Sequence, residues 1–199
     1  TVKSVEKLLD IDINYYFKIN FTSLIKIVDS VDGVDVLSSY TFTSKDGFNY
    51  TKGYNHVNGK EALSFVRERK SFNAGDRVRN IHQQAMVEAL IRKCTQKSII
   101  TKYNSLLSSL KDSFITNMPT NDLTSLIKQQ LNDNSKWNIT SYSLDGTNSR
   151  EYTYSYKSNK LYVMIPDTGT IAKAKELIKD VFNGKKLESS YDSNVTNIN

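Results

Sequence analysis

Between positions 67 and 79 the chain reads Arg67-Glu68-Arg69-Lys70-Ser71-Phe72-Asn73-Ala74-Gly75-Asp76-Arg77-Val78-Arg79, and Gln83-Gln84 follow closely. These thirteen residues carry five cations and two carboxylates, and a small, turn-prone break (Asn73-Ala74-Gly75) divides them. Apolar, periodic segments flank the stretch, so its charges gather at a junction between two structural elements. Arginine binds phosphate or carboxylate oxygens in pairs, which indicates an anion site. A surface loop with ordinary ion pairs is the alternative.

A helix is predicted immediately before this stretch. Asn58 is suited to be its N-cap, and Glu61, three residues on, can close a capping box. The buried side of the next two turns is apolar: Ala62, Leu63, Phe65 and Val66. In the extended backbone that follows, side chains alternate between two sides. We therefore expect Arg67 and Arg69 on one side and Glu68 on the other.

A second, longer helix is predicted after the break, with Asp76 as its N-cap and its end near Thr95. Its core stripe consists of Ile81, Ala85, Met86, Ala89 and Leu90. At 100° per residue, Asp76, Arg79 and Gln83 lie within about a sixth of a circle of one another. Backbone N–H groups at a helix N-terminus also favour anions. The helix start therefore extends the predicted anion site.

The segments before position 58 alternate between strand and helix patterns. Residues 15–21 alternate apolar and polar side chains, which predicts a strand with one buried face. A helix follows, with the apolar stripe Leu24, Ile25, Val28 and Val31, and residues 34–36 form a short strand. Towards the C-terminus, residues 161–165 are predicted to be a buried strand, after a turn at Asp145-Gly146, and residues 170–182 a helix. The β-α-β order favours a layered α/β fold.

Composition gives broad limits on function. The chain has 199 residues, 38% of them hydrophobic, which suits one globular domain. Its net charge of +6 is compatible with a polyanionic partner such as nucleic acid, acidic glycan or lipid phosphate. The single cysteine, Cys94, excludes an internal disulfide. Because the chain starts at Thr1 without a signal peptide or apolar span, we expect it to be a piece of a longer protein.

The sequence does not predict a metal site. Asp29, Asp32 and Asp35 are spaced unlike any calcium loop, and we expect them to be solvated. The two histidines, His56 and His82, lie far apart and lack a cysteine or acid at ligand spacing, so zinc is not expected. His82 follows the apolar face of its helix and is predicted to be a packed core residue.

Three segments together resemble the signature of the LytR-CpsA-Psr family of cell-envelope phosphotransferases, long described as transcriptional attenuators. They read Val57-Asn58-Gly59-Lys60-Glu61-Ala62-Leu63-Ser64-Phe65-Val66-Arg67-Glu68-Arg69-Lys70, then Gly75-Asp76-Arg77-Val78-Arg79, then Gln83-Gln84. The resemblance also covers Val31-Asp32-Gly33-Val34-Asp35-Val36 and the segments around Trp137 and Leu161. It implies an α/β fold, a layered α-β-α domain with a central mixed sheet flanked by helices, over residues 1–187. The polar residues 188–199 are expected to be a disordered tail.

The resemblance also implies an activity. Members of this family are held outside the cytoplasmic membrane by one N-terminal membrane helix. They transfer anionic glycopolymers, such as teichoic acids or capsular polysaccharide, from a polyprenyl-pyrophosphate carrier to peptidoglycan. The family motif assigns pyrophosphate binding to Arg67, Arg69, Arg79 and Gln83 and catalysis to Arg67, Arg69 and Asp76. Asp76 could orient the arginines or accept the hydroxyl proton; we expect the orienting role, because a carboxylate beside several arginines is a weak base.

The family uses Mg²⁺, whose acidic ligands come from a segment that precedes the part resembled here. That segment also supplies the first strands of the sheet and part of the lipid pocket. We therefore expect that the first strands are missing and that this chain alone has no transferase activity. Either the chain is a fragment, or the domain has been cleaved and its other half lies in another chain, which would then be a partner. The Asn- and Lys-rich composition is compatible with a Gram-positive source.

Two other functions stay open at this stage. The chain could be a non-catalytic module that binds a glycopolymer or pyrophosphate, in which case it would bind without turnover. A nucleic-acid-binding regulator is disfavoured, because the basic stretch lies at a helix junction and not along an exposed recognition helix.

Overall fold

The computed structural model describes residues 1–73, 75–100, 102, 108, 110, 113–133 and 137–187. Their helices are α1 (Val2–Leu9), α2 (Phe21–Ser30), α3 (Gly59–Arg67), α4 (Gly75–Cys94), α5 (Lys97–Ile100), α6 (Thr120–Asp133) and α7 (Thr168–Phe182). Their strands are β1 (Phe17–Ile19), β2 (Val34–Ser38), β3 (Phe42–Thr43), β4 (Asn49–Tyr50), β5 (Gly53–Val57), β6 (Phe114–Thr116), β7 (Gly146–Thr153) and β8 (Tyr156–Pro166). No helix within these ranges combines the length and hydrophobicity needed to cross a membrane.

The chain forms two compact units. One consists of Tyr15–Trp137, and the other joins Thr1–Asn14 to Asn138–Asn199. The predicted α/β class is confirmed by this mixture of helices and strands. In the described part of the chain the strands are hydrogen bonded two by two, all antiparallel: β1 with β6, β2 with β5, β3 with β4, and β7 with β8. The domain bounds 1–187 stay a prediction, and residues 188–199 lie outside the described residues.

The unit Tyr15–Trp137 contains a continuous hydrophobic core built from α2, β2, β4, β5, α3 and α4. Its buried members are Leu24, Val28, Val31, Val34, Val36, Tyr50, Val57, Ala62, Phe65, Val66, Met86 and Ala89. Side chains along β2 alternate between buried and exposed, as a strand covered on one face requires. The helix α4 packs on β2, and α3 packs on α2. The predicted helix stripe of α2 therefore forms part of the core through Leu24 and Val28.

Side chains bind the backbone N–H groups at the N-terminus of α3. Asn58 Oδ1 accepts hydrogen bonds from the N–H groups of Lys60 (3.0 Å) and Glu61 (3.1 Å), and Glu61 Oε2 accepts from Asn58 N–H (2.9 Å). The predicted capping box is confirmed. Asp29 Oδ1, at the end of α2, accepts from Gly59 N–H at 2.7 Å. This aspartate therefore caps a neighbouring helix instead of being simply solvated.

The two helices α2 and α3 approach each other most closely at Gly59. A Cβ atom there would collide with the carbonyl oxygen of Ile25 and lie 2.8 Å from its Cα. Because the neighbouring atoms belong to backbone, they cannot move aside cheaply. The close approach of α2 therefore requires glycine at position 59, the first residue of α3.

The hairpin β3–β4 packs against α3 through aromatic and hydroxyl contacts. The ring of Phe42 stacks on Tyr50 with centroids 4.8 Å apart. The Tyr50 hydroxyl donates to the carbonyl of Glu61 at 2.7 Å, and the hydroxyls of Ser64 and Ser44 are 2.9 Å apart. These contacts fix the turn of the hairpin beside the C-terminal half of α3.

The unit Thr1–Asn14 with Asn138–Asn199 has a smaller core. The helix α1 packs on α7, in which Ala174 and Leu177 are buried. The hairpin β7–β8 pairs Gly146 with Pro166, so the turn predicted at Asp145-Gly146 is wrong: Gly146 begins β7. Residues 161–165 do form a strand, but its prediction as a buried strand is wrong. Leu161, Tyr162 and their neighbours are exposed because the strand has one hydrogen-bonded partner and no buried face.

Residues 15–21 also differ from the prediction. The strand β1 is confined to Phe17–Ile19, and its aromatic and aliphatic side chains are exposed. Phe21, predicted to end the strand, begins α2 instead. The prediction of a buried face is wrong because alternation reports which side chains share a face and says nothing of what covers that face.

Candidate functional site

A cleft of about 560 Å³ lies where α3 ends and α4 begins. One wall is the irregular segment 68–73 between the two helices, and another is the turn of the β3–β4 hairpin. The residues that line it carry both charges: Lys45, Asp46, Ser64, Arg67, Glu68, Arg69, Lys70, Phe72, Asn73, Gly75 and Asp76. Four of these side chains are cations, so the cleft suits an anionic ligand.

The two leading arginines point outwards from the end of α3. Arg67 is the last residue of the helix, and its guanidinium carbon lies 5.0 Å from the ring centroid of Phe21. Arg69 is about half exposed. Glu68 between them is 4% exposed, so the predicted alternation of these three residues is confirmed. The backbone turns at Glu68 (φ −64°, ψ 131°), which ends the helix and starts the extended segment.

Asp76 joins two arginines from different elements. Its Oδ1 lies 3.0 Å from Arg69 Nε and 3.0 Å from Arg79 Nη2, and its Oδ2 accepts from Arg69 Nη2 at 3.1 Å. Arg69 therefore binds this carboxylate through two nitrogens, the geometry that a guanidinium fork favours. Asp76 holds the extended segment and the start of α4 in one arrangement.

The prediction of Asp76 as the N-cap of α4 is wrong. The helix begins at Gly75, which places Asp76 in its first turn. Gly75 lies against the extended segment: a Cβ atom there would collide with the carbonyl oxygen of Arg69 and lie 3.1 Å from the carbonyl carbon. Because Asp76 is already inside the helix, its carboxylate is directed to the arginines and not to the helix end.

The other two predicted site residues, Arg79 and Gln83, lie further along α4. Arg79 is about one third exposed and reaches the site through Asp76. Its Nε is buried, with no hydrogen-bond acceptor among the described residues. Gln83 Nε2 lies 3.5 Å from the carbonyl oxygen of Val66, at the end of α3. Neither side chain lines the cleft, so the structure brings together Arg67, Arg69 and Asp76 directly, and Arg79 through its ion pair.

Glu68 is a site residue that sequence analysis did not identify. Its Oε1 accepts from the backbone N–H groups of Arg69 (2.9 Å), Lys70 (2.7 Å) and Ser71 (3.0 Å), and its Oε2 accepts from Lys45 N–H (2.7 Å). Burial by itself would raise the pKa of Glu68, but the four N–H donors lower it overall. The signal was present in the predicted alternation, since a carboxylate that faces the core must find donors.

The side chain of His82 packs against the segment 68–73 through Phe72. It is fully buried, its Nδ1 lies 3.1 Å from the Phe65 carbonyl oxygen, and its ring stacks on Phe65 (centroids 4.1 Å apart) and on Phe42 (5.2 Å). Phe72, from the segment, meets it edge-on at 5.6 Å. Burial lowers the pKa of His82 to about 4. The prediction of a packed core histidine is confirmed, and the residue is neutral near pH 7.

The other histidine forms a separate surface pair. His56 Nδ1 lies 2.7 Å from Asp35 Oδ1, across the β2–β5 ladder, and both side chains are exposed. The described residues contain no group of three or more His, Cys, Asp or Glu side chains arranged to hold a metal ion. Asp29 was considered above for a metal loop together with Asp32 and Asp35. In the structure its carboxylate instead caps α3.

Comparison with known proteins gives consistent matches. A family model described as the LytR_cpsA_psr family matches residues 1–177. The polyisoprenyl-teichoic acid–peptidoglycan teichoic acid transferase TagU of Bacillus cereus (strain AH820) is 38% identical over 118 residues, 59% of this chain and 39% of that relative. The chain therefore spans well under half the length of this curated relative.

Solved structures extend the likeness to most of the chain. The crystal structure of B. subtilis TagU matches with a TM-score of 0.66 and 27% identity, over 90% of this chain and 69% of that chain. The crystal structure of B. subtilis TagV matches with a TM-score of 0.71 and 25% identity, over 92% of this chain and 69% of that chain. Both units of the chain are thus included in the matched fold.

Proposed function

The chain belongs to the LytR_cpsA_psr family, and from this premise we propose that its arginine cleft binds the phosphates of a polyprenyl-pyrophosphate-linked glycopolymer during transfer to peptidoglycan. The observation that carries the proposal is the convergence of Arg67 and Arg69 on one cleft, with Asp76 fixing Arg69 against Arg79. Relatives named as teichoic acid transferases support teichoic acid as the polymer. Capsular polysaccharide is the alternative polymer.

In the proposed reaction, a hydroxyl of the peptidoglycan sugar attacks the phosphorus that bears the polymer. A new P–O bond forms to the acceptor, the P–O bond to the bridging oxygen breaks, and polyprenyl phosphate leaves; the hydroxyl proton is released. Negative charge grows on the non-bridging and leaving oxygens. Preorganised guanidinium groups stabilise such charge without rearranging during the reaction. Arg67 and Arg69 line the cleft and would make these contacts.

For Asp76 we propose the role of orienting the arginines. Both of its oxygens are already engaged by guanidinium nitrogens of Arg69 and Arg79 at 3.0–3.1 Å. A carboxylate whose two oxygens are held by guanidinium nitrogens fixes the positions of those guanidinium groups. Arg79 and Gln83, to which the family motif assigns pyrophosphate binding, do not line the cleft, so Arg79 would act on the site through its ion pair with Asp76.

The magnesium ion that the family resemblance implies does not fit the described residues. Of the three carboxylates that line the cleft, Glu68 is saturated by backbone N–H groups and Asp76 by arginines. Mg²⁺ prefers several oxygen ligands in octahedral geometry, and Asp46 alone does not provide them. The metal's ligands would come from outside the described residues.

We also propose that the full-length protein works outside the cytoplasmic membrane of a Gram-positive cell and is held there by a membrane anchor. The support is chemical: the relatives are named for transfer to peptidoglycan, which lies outside the membrane, from a polyisoprenyl-linked donor. A lipid-linked donor requires a reaction at the membrane surface.

The test is transfer of lipid-linked polymer to peptidoglycan by the full-length protein and its variants. We expect Arg67→Ala and Arg69→Ala to lower the rate by about 10²–10³-fold, because each removes a preorganised donor. Arg92→Ala is the matched control, since Arg92 pairs with Glu88 on α4 and does not line the cleft. Unchanged transfer by both variants would rule out the arginine clamp. Pyrophosphate binding without any turnover by the parent would instead favour a non-catalytic binding module.

A further inference from the structure

The anion cleft contains a buried anion of its own. Glu68 lies between the two arginines in sequence, yet its side chain is 4% exposed while both arginines are exposed. A buried carboxylate is costly unless donors surround it. Its oxygens are occupied by four backbone N–H groups, so its charge is compensated without the side chains of Arg67 and Arg69.

The four donors come from two separate parts of the fold. Three are consecutive residues of the segment after α3, and the fourth is Lys45, 23 residues earlier, in the turn of the β3–β4 hairpin. One carboxylate therefore bridges two walls of the cleft. A second contact runs in parallel, since the Ser71 hydroxyl donates to the Thr43 carbonyl at 2.9 Å.

The hydrogen bond from Lys45 to Glu68 also affects which cations face the ligand. The N–H group of Lys45 is bound to Glu68 Oε2, and Lys45, an exposed residue, lines the cleft together with Lys70. The hairpin thus contributes a cation to a site whose other cations come from the helix junction. A lysine ammonium supplies a point charge suited to a second phosphate oxygen.

We propose that Glu68 is a positioning residue of the anion site, and that by fixing the hairpin turn it makes Lys45 a further ligand for the phosphate groups of the substrate. The inference rests on the proposed function, because it takes the cleft to bind a pyrophosphate-bearing ligand. It assigns a positioning role to Glu68, inside the arginine motif, and a binding role to Lys45, outside it.

Glu68→Gln isolates the bridge. Glutamine keeps the size of the side chain, and its one carbonyl oxygen can still accept from the three consecutive N–H groups. Its NH₂ group then faces Lys45 N–H, donor against donor, so only the link to the hairpin is lost. The probe is inorganic pyrophosphate, titrated calorimetrically into the 199-residue chain in buffer without divalent ions.

We expect Glu68→Gln and Lys45→Gln each to weaken pyrophosphate binding by about tenfold. The double variant should be no weaker than the weaker single variant, because both substitutions remove the same contact. Glu88→Gln, on α4 and away from the cleft, is the matched control and should bind as the parent does. Parent-like affinity of folded Glu68→Gln would overturn the proposal, and fully additive losses would overturn the link to Lys45.

A second measurement applies if the variant fails to fold. In the parent chain, the amide proton signals of Lys45, Arg69, Lys70 and Ser71 should move together on acidification, with one midpoint below the ordinary range for glutamate. A Lys45 amide that does not follow the other three would overturn the bridge. Failure of the parent to bind pyrophosphate would count against the proposed function itself, and the joint titration would still confirm or overturn the anchoring by Glu68.

Discussion

Two carboxylates eight residues apart do different work in this cleft because their surroundings differ. Glu68 is buried and compensated by backbone N–H groups, whereas Asp76 is about half exposed and compensated by guanidinium groups. Glu68 fixes the position of backbone N–H groups, and Asp76 fixes the position of arginine side chains. Together they hold Arg69 from both ends, through its amide and through its guanidinium. Arg67, in contrast, has its aromatic neighbour Phe21 and is free of such a clamp in the described residues.

The buried histidine makes stability depend on pH. His82 has a pKa of about 4 in the folded chain, against 6.5 as its ordinary value. Above pH 6.5 it is neutral in both states. As the pH falls from 6.5 to about 4, the unfolded chain takes up a proton that the folded chain does not, so the free energy of unfolding decreases by about 1.4 kcal/mol per pH unit. The full contribution to be lost is about 3 kcal/mol.

Between about pH 7 and about pH 4.5, we therefore expect the free energy of unfolding of His82→Phe to decrease by about 2 kcal/mol less than that of the parent. The measurement is denaturant unfolding of parent and variant at both pH values. Phe72→Leu, which changes the packing beside His82 without removing a titratable group, is the control and should keep the pH dependence of the parent. Identical pH dependence of parent and His82→Phe would show that His82 does not carry the effect.

Gly75 offers a test of how closely the two halves of the site approach. Gly75→Ala adds a Cβ atom that collides with the Arg69 carbonyl, so the segment must move away from α4. We expect transfer by the full-length protein to fall about 10-fold or more, because small displacements of catalytic groups are costly. Gly169→Ala, in the first turn of α7, controls for the loss of a glycine outside the cleft, since Gly169 does not have a positive φ and its Cβ would meet only the side chain of Asp167 at 3.0 Å. Full activity of Gly75→Ala would mean that the position of Arg69 is not critical.

At the scale of elements, α3 is a short helix whose two ends have different tasks. Its N-terminus is closed by Asn58, Glu61 and Asp29, so its backbone donors are satisfied. Its C-terminus carries Arg67 and opens into the cleft. Because the helix has only nine residues, about two and a half turns, disorder at the capped end would reach the arginine within a few residues.

Asn58→Ala tests this coupling. Loss of the cap should lower the free energy of unfolding by about 1 kcal/mol. Thermal or denaturant unfolding of the chain measures it, with Asn49→Ala, at the exposed position of the two-residue strand β4, as the comparison. A smaller loss for Asn58→Ala than for Asn49→Ala would contradict the capping role.

At the scale of the whole molecule, burial is unequal between the two units. The twelve residues of the main hydrophobic cluster all lie between Leu24 and Ala89, inside the unit Tyr15–Trp137. The cleft lies in the same unit, since its lining runs from Lys45 to Asp76. The other unit buries Ala174 and Leu177 and leaves large side chains of its hairpin, such as Tyr154, exposed.

We therefore expect a fragment of residues 15–137 to fold by itself and to keep the cleft. Circular dichroism and denaturant titration should show helix content and one cooperative transition, driven by the apolar area that the cluster buries. The matched fragment, residues 138–187, should lack such a transition. Non-cooperative unfolding of residues 15–137 would show that the core needs the rest of the chain.

What the amino-acid sequence determined about this protein is local. The capping box at Asn58, the two helices around the arginine motif, the outward and inward alternation at residues 67–69 and the buried His82 all depend on residues within a few turns of one another. Such patterns are set by backbone geometry and by the periodicity of apolar residues.

The tertiary structure alone decided which distant residues meet and which faces are covered. Lys45 reaches Glu68 across 23 residues, and Gly75 lies against the backbone carbonyl of Arg69. The apolar face of residues 15–21 is exposed although its alternation is regular. Contacts of this kind depend on how whole elements pack, and burial depends on what lies opposite, so neither is encoded in the spacing of residues along one element.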